Sequence, residues 1–539
     1  MNEVQLDVYD FHSEAFREFL ETEVWPRYQV NQQPLRHILA GLDRWYRNPC
    51  KAVVVERPYV DKEYLDEFAA FYAASFRSYP HTCTRLHFFS CPIPEDGSTG
   101  YDEYADDYLG FCVLRPTDLL LLGRTVLAYP DTDPETAFVL ARDDALRPHL
   151  LTSEMSVCGT PFMQQETQVG VCATAATWMA VRCMSHRYGY REYRPSEITR
   201  FAQEHFPSGR VFPAKSGLWW WQMLDALRTM GIEAEFVAKE MIEPSEFVEE
   251  VAASSWSPAA LSHWSLAAAV YRHVESELPA ILLTDDHAFV ATGHTYRPKP
   301  DARLAVQHLP SLFVNDDARG PYTRLPLTVR HANCCHRDPL SPLSAKLRAQ
   351  VLQRTFWGVT GAILLSPREC TLSGQDAEDD ALQLLSELLR AFPDDMRNAL
   401  EAELGDLDLS PSTPLLSQFY CRTYLRRQLA VKRWYEEASI GPSLSERIVR
   451  MCMPKYLWVS ELSTYGRIAG ASRGQGQRFG EIVMDATAPA GSGAAMILRL
   501  GRLYMLFNRD APDECEPHWL APDAPVELPQ YSRAPTDAV

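Results

Sequence analysis

Gln164-Gln165-Glu166-Thr167-Gln168-Val169-Gly170-Val171-Cys172-Ala173-Thr174-Ala175-Ala176-Thr177-Trp178-Met179 turns from a polar, glycine-containing loop into a run of small residues. Cys172, Ala175, Ala176, Met179, Ala180 and Cys183 recur at the spacing of one buried helical face, so a helix is expected to open at Cys172. A thiol on a helix's first turn meets unsatisfied N–H groups and the positive end of the dipole. Both favour the thiolate, the nucleophilic form.

Downstream, Pro279 to Thr284 and Ala288 to Gly293 read as paired strands bracketing His287, and Ser311 to Asn315 as a third strand, closed by Asp316-Asp317. Between them Gly217 to Leu227 predicts a helix ending at Gly231, followed by a half-buried strand over 232–237. Cys, then His, then Asn or Asp, each on its own element, is an order that suits nucleophilic thiol catalysis. His294 competes with His287; on a regular strand the two face opposite sides, and His294 is expected on a loop or rim.

The chain has 539 residues, too many for one core. We expect an α+β protein with an N-terminal α/β domain over 1–150, a central catalytic domain over 151–370 and a C-terminal helix-plus-strand domain over 371–539. Phe11 to Tyr28, Glu63 to Phe76, Val270 to Glu277, Leu382 to Ala391 and Leu415 to Glu437 read as helices. The acidic run Ser373 to Asp380 reads as a linker, Gly466 to Gly480 as a mobile loop and the last dozen residues as a frayed tail. The net charge of −19 argues against nucleic acid or an anionic membrane as a partner. No apolar run is long enough for a transmembrane helix, and the opening residues lack a signal-peptide layout. Thirteen cysteines without a disulfide-like rhythm point to reduced thiols in a cytoplasmic setting.

Residues 151–368 resemble the papain-like cysteine peptidases, in particular their C39-like branch. The resemblance rests on Gln165 or Gln168 in a loop, Cys172 opening a small-residue helix, and the Gly217 to Gly231 unit. It continues through Ile281 to His294, which contains His287, and Phe313 to Gly320, which contains Asn315 and Asp316. It implies a Cys172 nucleophile, a His287 acid–base and Asp316 or Asn315 orienting the imidazole. The oxyanion donors would be the Cys172 N–H and the amide of Gln165, or of Gln168. The substrate would be a protein or peptide, hydrolysed by a peptidase or isopeptidase, with no cofactor; the flanking regions would recruit substrate or an activating partner. The same chemistry also serves papain-like acyltransferases, and a degenerate, non-catalytic scaffold is a further reading. Two departures stand out: Ala173 follows the Cys where the family usually has Gly, and Asp316-Asp317 replaces a common Asp-Pro.

Other clusters carry bland expectations. His331, Cys334, Cys335 and His336 are poorly spaced for zinc, and a strand explains His81, Cys83, His87 and Cys91. At least one of Trp219, Trp220 and Trp221 is expected in the core. Arg422, Arg426, Arg427, Lys432 and Arg433 would form a basic stripe on a helix.

Overall fold

The computed structural model describes residues 3–27, 31–94, 100–117, 122–131, 136–138, 146–165, 171–205, 217–239, 258–297, 305–327, 354–405, 407–409, 418–438, 440–464, 467, 477–492, 494–508, 511–520, 525 and 528–529. The His331–His336 cluster, Gln168, most of the Gly466–Gly480 loop and the last ten residues lie outside these. The fold mixes helices with antiparallel sheets. No described helix is long and apolar enough to cross a membrane.

The chain gathers into two compact units. The first comprises Met1–Ala260, Leu278–Thr295 and Ser311–Leu365. It contains a five-stranded sheet, β1 (Gln5–Asp10), β2 (Ala52–Tyr59), β3 (Cys83–Phe89), β4 (Tyr108–Leu114) and β5 (Leu122–Leu127), paired in chain order. Every ladder is antiparallel, so this region is a meander rather than the α/β arrangement its alternating pattern suggested. Helices α1 (Glu14–Phe19), α2 (Gln33–Leu42) and α3 (Lys62–Ala70) accompany it. The helix expected over 11–28 is shorter: α1 passes directly into a wider π-type turn at Leu20–Val24.

After β6 (Thr136–Phe138) and a short hairpin, β7 (His149–Leu150) with β8 (Ser153–Glu154), come α4 (Cys172–Tyr188), α5 (Pro195–Phe201) and α6 (Trp220–Thr229). Gly189 ends α4 at φ 73°, a conformation only glycine adopts at little cost. The second sheet uses β9 (Glu233–Ala238), β10 (Ala280–Leu283), β11 (Ala288–Thr295), β12 (Ser311–Asp316), β13 (Gly320–Pro326) and β14 (Gly361–Ser366). Its order is β13-β12-β11-β10-β14-β9, with β6 added to the far end of β11. Strands β11 and β12 are buried along their whole length, and the small residues Ala173, Ala175, Ala176 and Ala180 let α4 pack closely on β11.

The second unit, Leu261–Glu277, Tyr296–Pro310 and Ser366–Val539, has a six-stranded antiparallel sheet. Its strands are β15 (Phe419–Arg427), β16 (Tyr456–Thr464), β18 (Gly480–Asp485), β19 (Ala495–Leu500), β20 (Leu503–Asn508) and β21 (Ala511–Trp519). A separate pair joins β17 (Gln477–Arg478) to β22 (Leu528–Pro529). Two expectations fail here for clear reasons. The "linker" at 373–380 is the start of helix Gly374–Ala391: Ser373 Oγ accepts from the Asp376 N–H at 3.1 Å, and the acidic side chains lie at the helix's positive end. The helix expected over 415–437 is strand β15 followed by helix Gln428–Glu437, so no basic helical stripe forms. Arg422 is buried in the sheet against Glu461, its cross-strand neighbour. The helix expected from Val270 begins earlier, at Pro258.

Candidate active site

The β10–β11 hairpin carries His287 at its tip, where the Thr284 N–H donates to the His287 carbonyl at 2.9 Å. In the next ladder Val290 pairs with Asn315, which brings the start of β11 beside the end of β12. His287 Nε2 therefore lies 2.9 Å from Asp316 Oδ1 and 3.4 Å from Asp317 Oδ1. Asp316 Oδ1 also accepts from the Ala318 N–H at 2.9 Å, so the turn holds the carboxylate in place. That turn ends at Gly320, φ +121°, where a Cβ would come within 2.6 Å of the His37 ring.

Cys172 opens α4, as its spacing predicts, and is half-buried. It lies close enough to His287 to help hold the ring's charge up. With Nε2 committed to the carboxylates, Nδ1 is the ring nitrogen left for the sulfur. The N-cap of α4, Val171, makes no side-chain cap to the first-turn N–H groups. Burial alone would drive the His287 pKa down. The hydrogen bond to Asp316 and the neighbouring Cys172, with the charges of Asp317 and Asp316, outweigh burial and push it up to about 11. His287 is accordingly an imidazolium at neutral pH.

Asn315 is occupied elsewhere. Its amide donates to Thr160 Oγ1 (3.1 Å) and to the Pro161 carbonyl (3.0 Å), and its oxygen accepts from the Tyr322 N–H (3.1 Å). Strand alternation thus leaves Asp316, not Asn315, facing His287. His294 is fully buried within β11, its Nδ1 beside the Thr295 carbonyl, rather than on a loop or rim. Gln165 lies at the site, its backbone N–H directed towards Asp317. Its neighbour Gln164 is locked in the core: Nε2 donates to the Asn31 carbonyl (2.9 Å), Oε1 accepts from Leu122 N–H (3.2 Å), and its carbonyl accepts from Arg115 (2.7 Å). Arg115 is in turn bound by both oxygens of Glu67 on α3. This clamp was not foreseen, because no spacing rule links residues 67, 115 and 164. All three Trp side chains of the triplet are partly exposed, Trp219 at 61%, and Trp219 stacks on Trp221 at 5.0 Å; none is the core residue expected. Cys83 and His87 lie on β3, as the strand reading requires.

Asp317 completes the site and was noticed in the sequence only as a doubled Asp. Its side chain is 0% exposed and neither oxygen completes a hydrogen bond. Burial pushes its pKa up to about 7, against the pull of the His287 charge, and the Asp316 charge adds to the rise. A carboxyl raised in this way weakens the fold where it must ionise: the cost is absent below about pH 4 and fully present above about pH 7. Asp317→Asn should therefore raise stability above pH 7 by roughly 1–3 kcal/mol and leave it little changed at about pH 4. Urea unfolding at the two pH values measures this; an equal effect at both would refute it. Among the described residues, His287, Asp316 and Asp317 are also the set whose donor atoms converge as metal ligands would.

No family model and no curated protein matches this chain.

Proposed function

We propose that this protein is a cysteine peptidase or isopeptidase of papain-like design, acting on the amide bonds of a protein or peptide. The observation that carries this reading is the His287 ring hydrogen-bonded to Asp316 with Cys172 beside it at the head of α4. Cys172 attacks the carbonyl carbon as a thiolate, and the imidazolium gives its Nδ1 proton to the leaving amine, leaving a thioester. His287, now neutral, takes a proton from water, whose oxygen displaces the sulfur and releases the acid. Asp316 holds the ring's orientation and tautomer throughout. The oxyanion is met by the Cys172 N–H at the head of α4 and by the Gln165 side chain, a donor worth about 10²–10³ in rate.

A cytoplasmic, reducing setting suits this chemistry, and the described cysteines are all free. The remaining elements of the chain would recruit the substrate or an activating partner. Incubation of the whole chain with a denatured proteome should create new peptide N-termini with the wild type and none with Cys172→Ala. Equal cleavage by both proteins would sink the proposal. Products in which the acyl group has moved to an added amine would assign the site to acyl transfer instead.

A further inference from the structure

The triad uses one carboxylate, and the site contains two. Asp317 is fully buried, neither of its oxygens completes a hydrogen bond, and one of them faces His287 Nε2 at 3.4 Å. The His287 ring and the Gln165 N–H face it without completing a hydrogen bond, and a buried carboxylate so loosely held is costly to keep. His287 Nε2, Asp316 and Asp317 offer three donor atoms within 4.8 Å of one another. Bonds of about 2.0–2.1 Å in a tetrahedron set donors about 3.3 Å apart. The Nε2–Asp317 separation of 3.4 Å already fits, and the Nε2–Asp316 separation of 2.9 Å needs to open only slightly.

We propose that His287 Nε2, Asp316 and Asp317 form a binding site for one divalent ion of the zinc class, with a fourth position open to water, and that loading it silences the site. The inference rests on the catalytic reading above for its consequence, though not for the binding itself. One imidazole nitrogen and two carboxylate oxygens suit zinc, and three protein ligands with one open position is the usual arrangement where water completes the sphere. On binding, the ion takes the Nε2 lone pair and the proton there leaves to solvent. Asp316 exchanges its hydrogen bond from His287 for a metal bond, and Asp317 gains a direct bond in place of its 3.4 Å contact with the ring. With Nε2 held by the ion, giving up the Nδ1 proton would leave an imidazolate, so the ring can no longer act as the acid at Nδ1 that the proposed cycle requires. Cys172 takes no part, because its sulfur lies outside this cluster and has only Nδ1 to contact. Magnesium should not compete, since it keeps its water and demands octahedral geometry.

The test is calorimetric titration of Zn²⁺ into the chelator-washed full chain near pH 7.5, repeated in buffers of different ionisation enthalpy. One Zn²⁺ per chain should bind with net proton release, and Mg²⁺ should give no heat. Asp317→Asn should weaken binding at least ~10-fold while keeping a cooperative melting transition. Cys172→Ser should bind as tightly as wild type, which separates this site from adventitious capture by the exposed Cys158 and Cys452. Binding unchanged in Asp317→Asn, or lost in Cys172→Ser, overturns the proposal. Alkylation of Cys172 in the presence of chelator reports the catalytic reading independently, so either idea can fail without the other.

Discussion

Iodoacetamide at a limiting dose and about pH 6 is expected to modify Cys172 ahead of every other cysteine, and His287→Ala is expected to erase that preference. The reason lies in the charge of the partner. Held up to about 11, His287 stays protonated from acid through physiological pH, so a thiolate at Cys172 faces a fixed cation. An unactivated thiol with a pKa of about 8.5 is ionised to well under 1% at about pH 6. A thiolate paired with that cation should therefore react well ahead of such thiols. Burial sets apart many of the described competitors. Cys50, Cys83, Cys112, Cys370 and Cys421 are pushed up by burial, and Cys183 is driven to about 12. Cys158 and Cys452 are exposed, which makes them the informative competitors. Site-by-site mass spectrometry after quenching reads the result. Labelling at Cys158 or Cys452 equal to that at Cys172 would mean that the pair carries no activated thiol.

The second large effect concerns stability. Arg115→Ala should destabilise the first unit by about 3–5 kcal/mol, because it removes the guanidinium that binds both oxygens of the buried Glu67. Arg115 is 1% exposed, so water cannot take its place. The same change frees the Gln164 carbonyl and loosens the segment that leads to Gln165. Replacing both partners with apolar side chains, Arg115→Met with Glu67→Met, should recover most of the loss, since no uncompensated charge is then left inside. Denaturant titration of the single and double variants checks this. A double variant as unstable as the sum of the singles would show that the pair is not the source of the effect.

Local patterns were legible where one physical rule dominated. The start of α4 at Cys172 follows from helical periodicity and small side chains, and the β10–β11 hairpin and β12 follow from apolar runs with polar ends. Misreadings arose where a local signal had two meanings. Acidic residues after Ser373 look like a solvated linker but also suit a helix N-terminus. The arginines of β15 look like a surface stripe until Glu461 is placed beside Arg422. In each case a partner distant in sequence, or a cap, decided between them.

Of the candidate site, the sequence by itself pointed to Cys172 and His287 and to the elements that bear them, because the order of residue types and the local periodicities are written along the chain. The choice between Asn315 and Asp316 belonged to the tertiary structure: only the contacts of Asn315 with Thr160, Pro161 and Tyr322 show that its amide is already spent. So did the burial of Asp317 and the clamp from Glu67 through Arg115 to Gln164. These depend on distances between residues far apart in the chain, and on the loss of water around them, neither of which a one-dimensional pattern records.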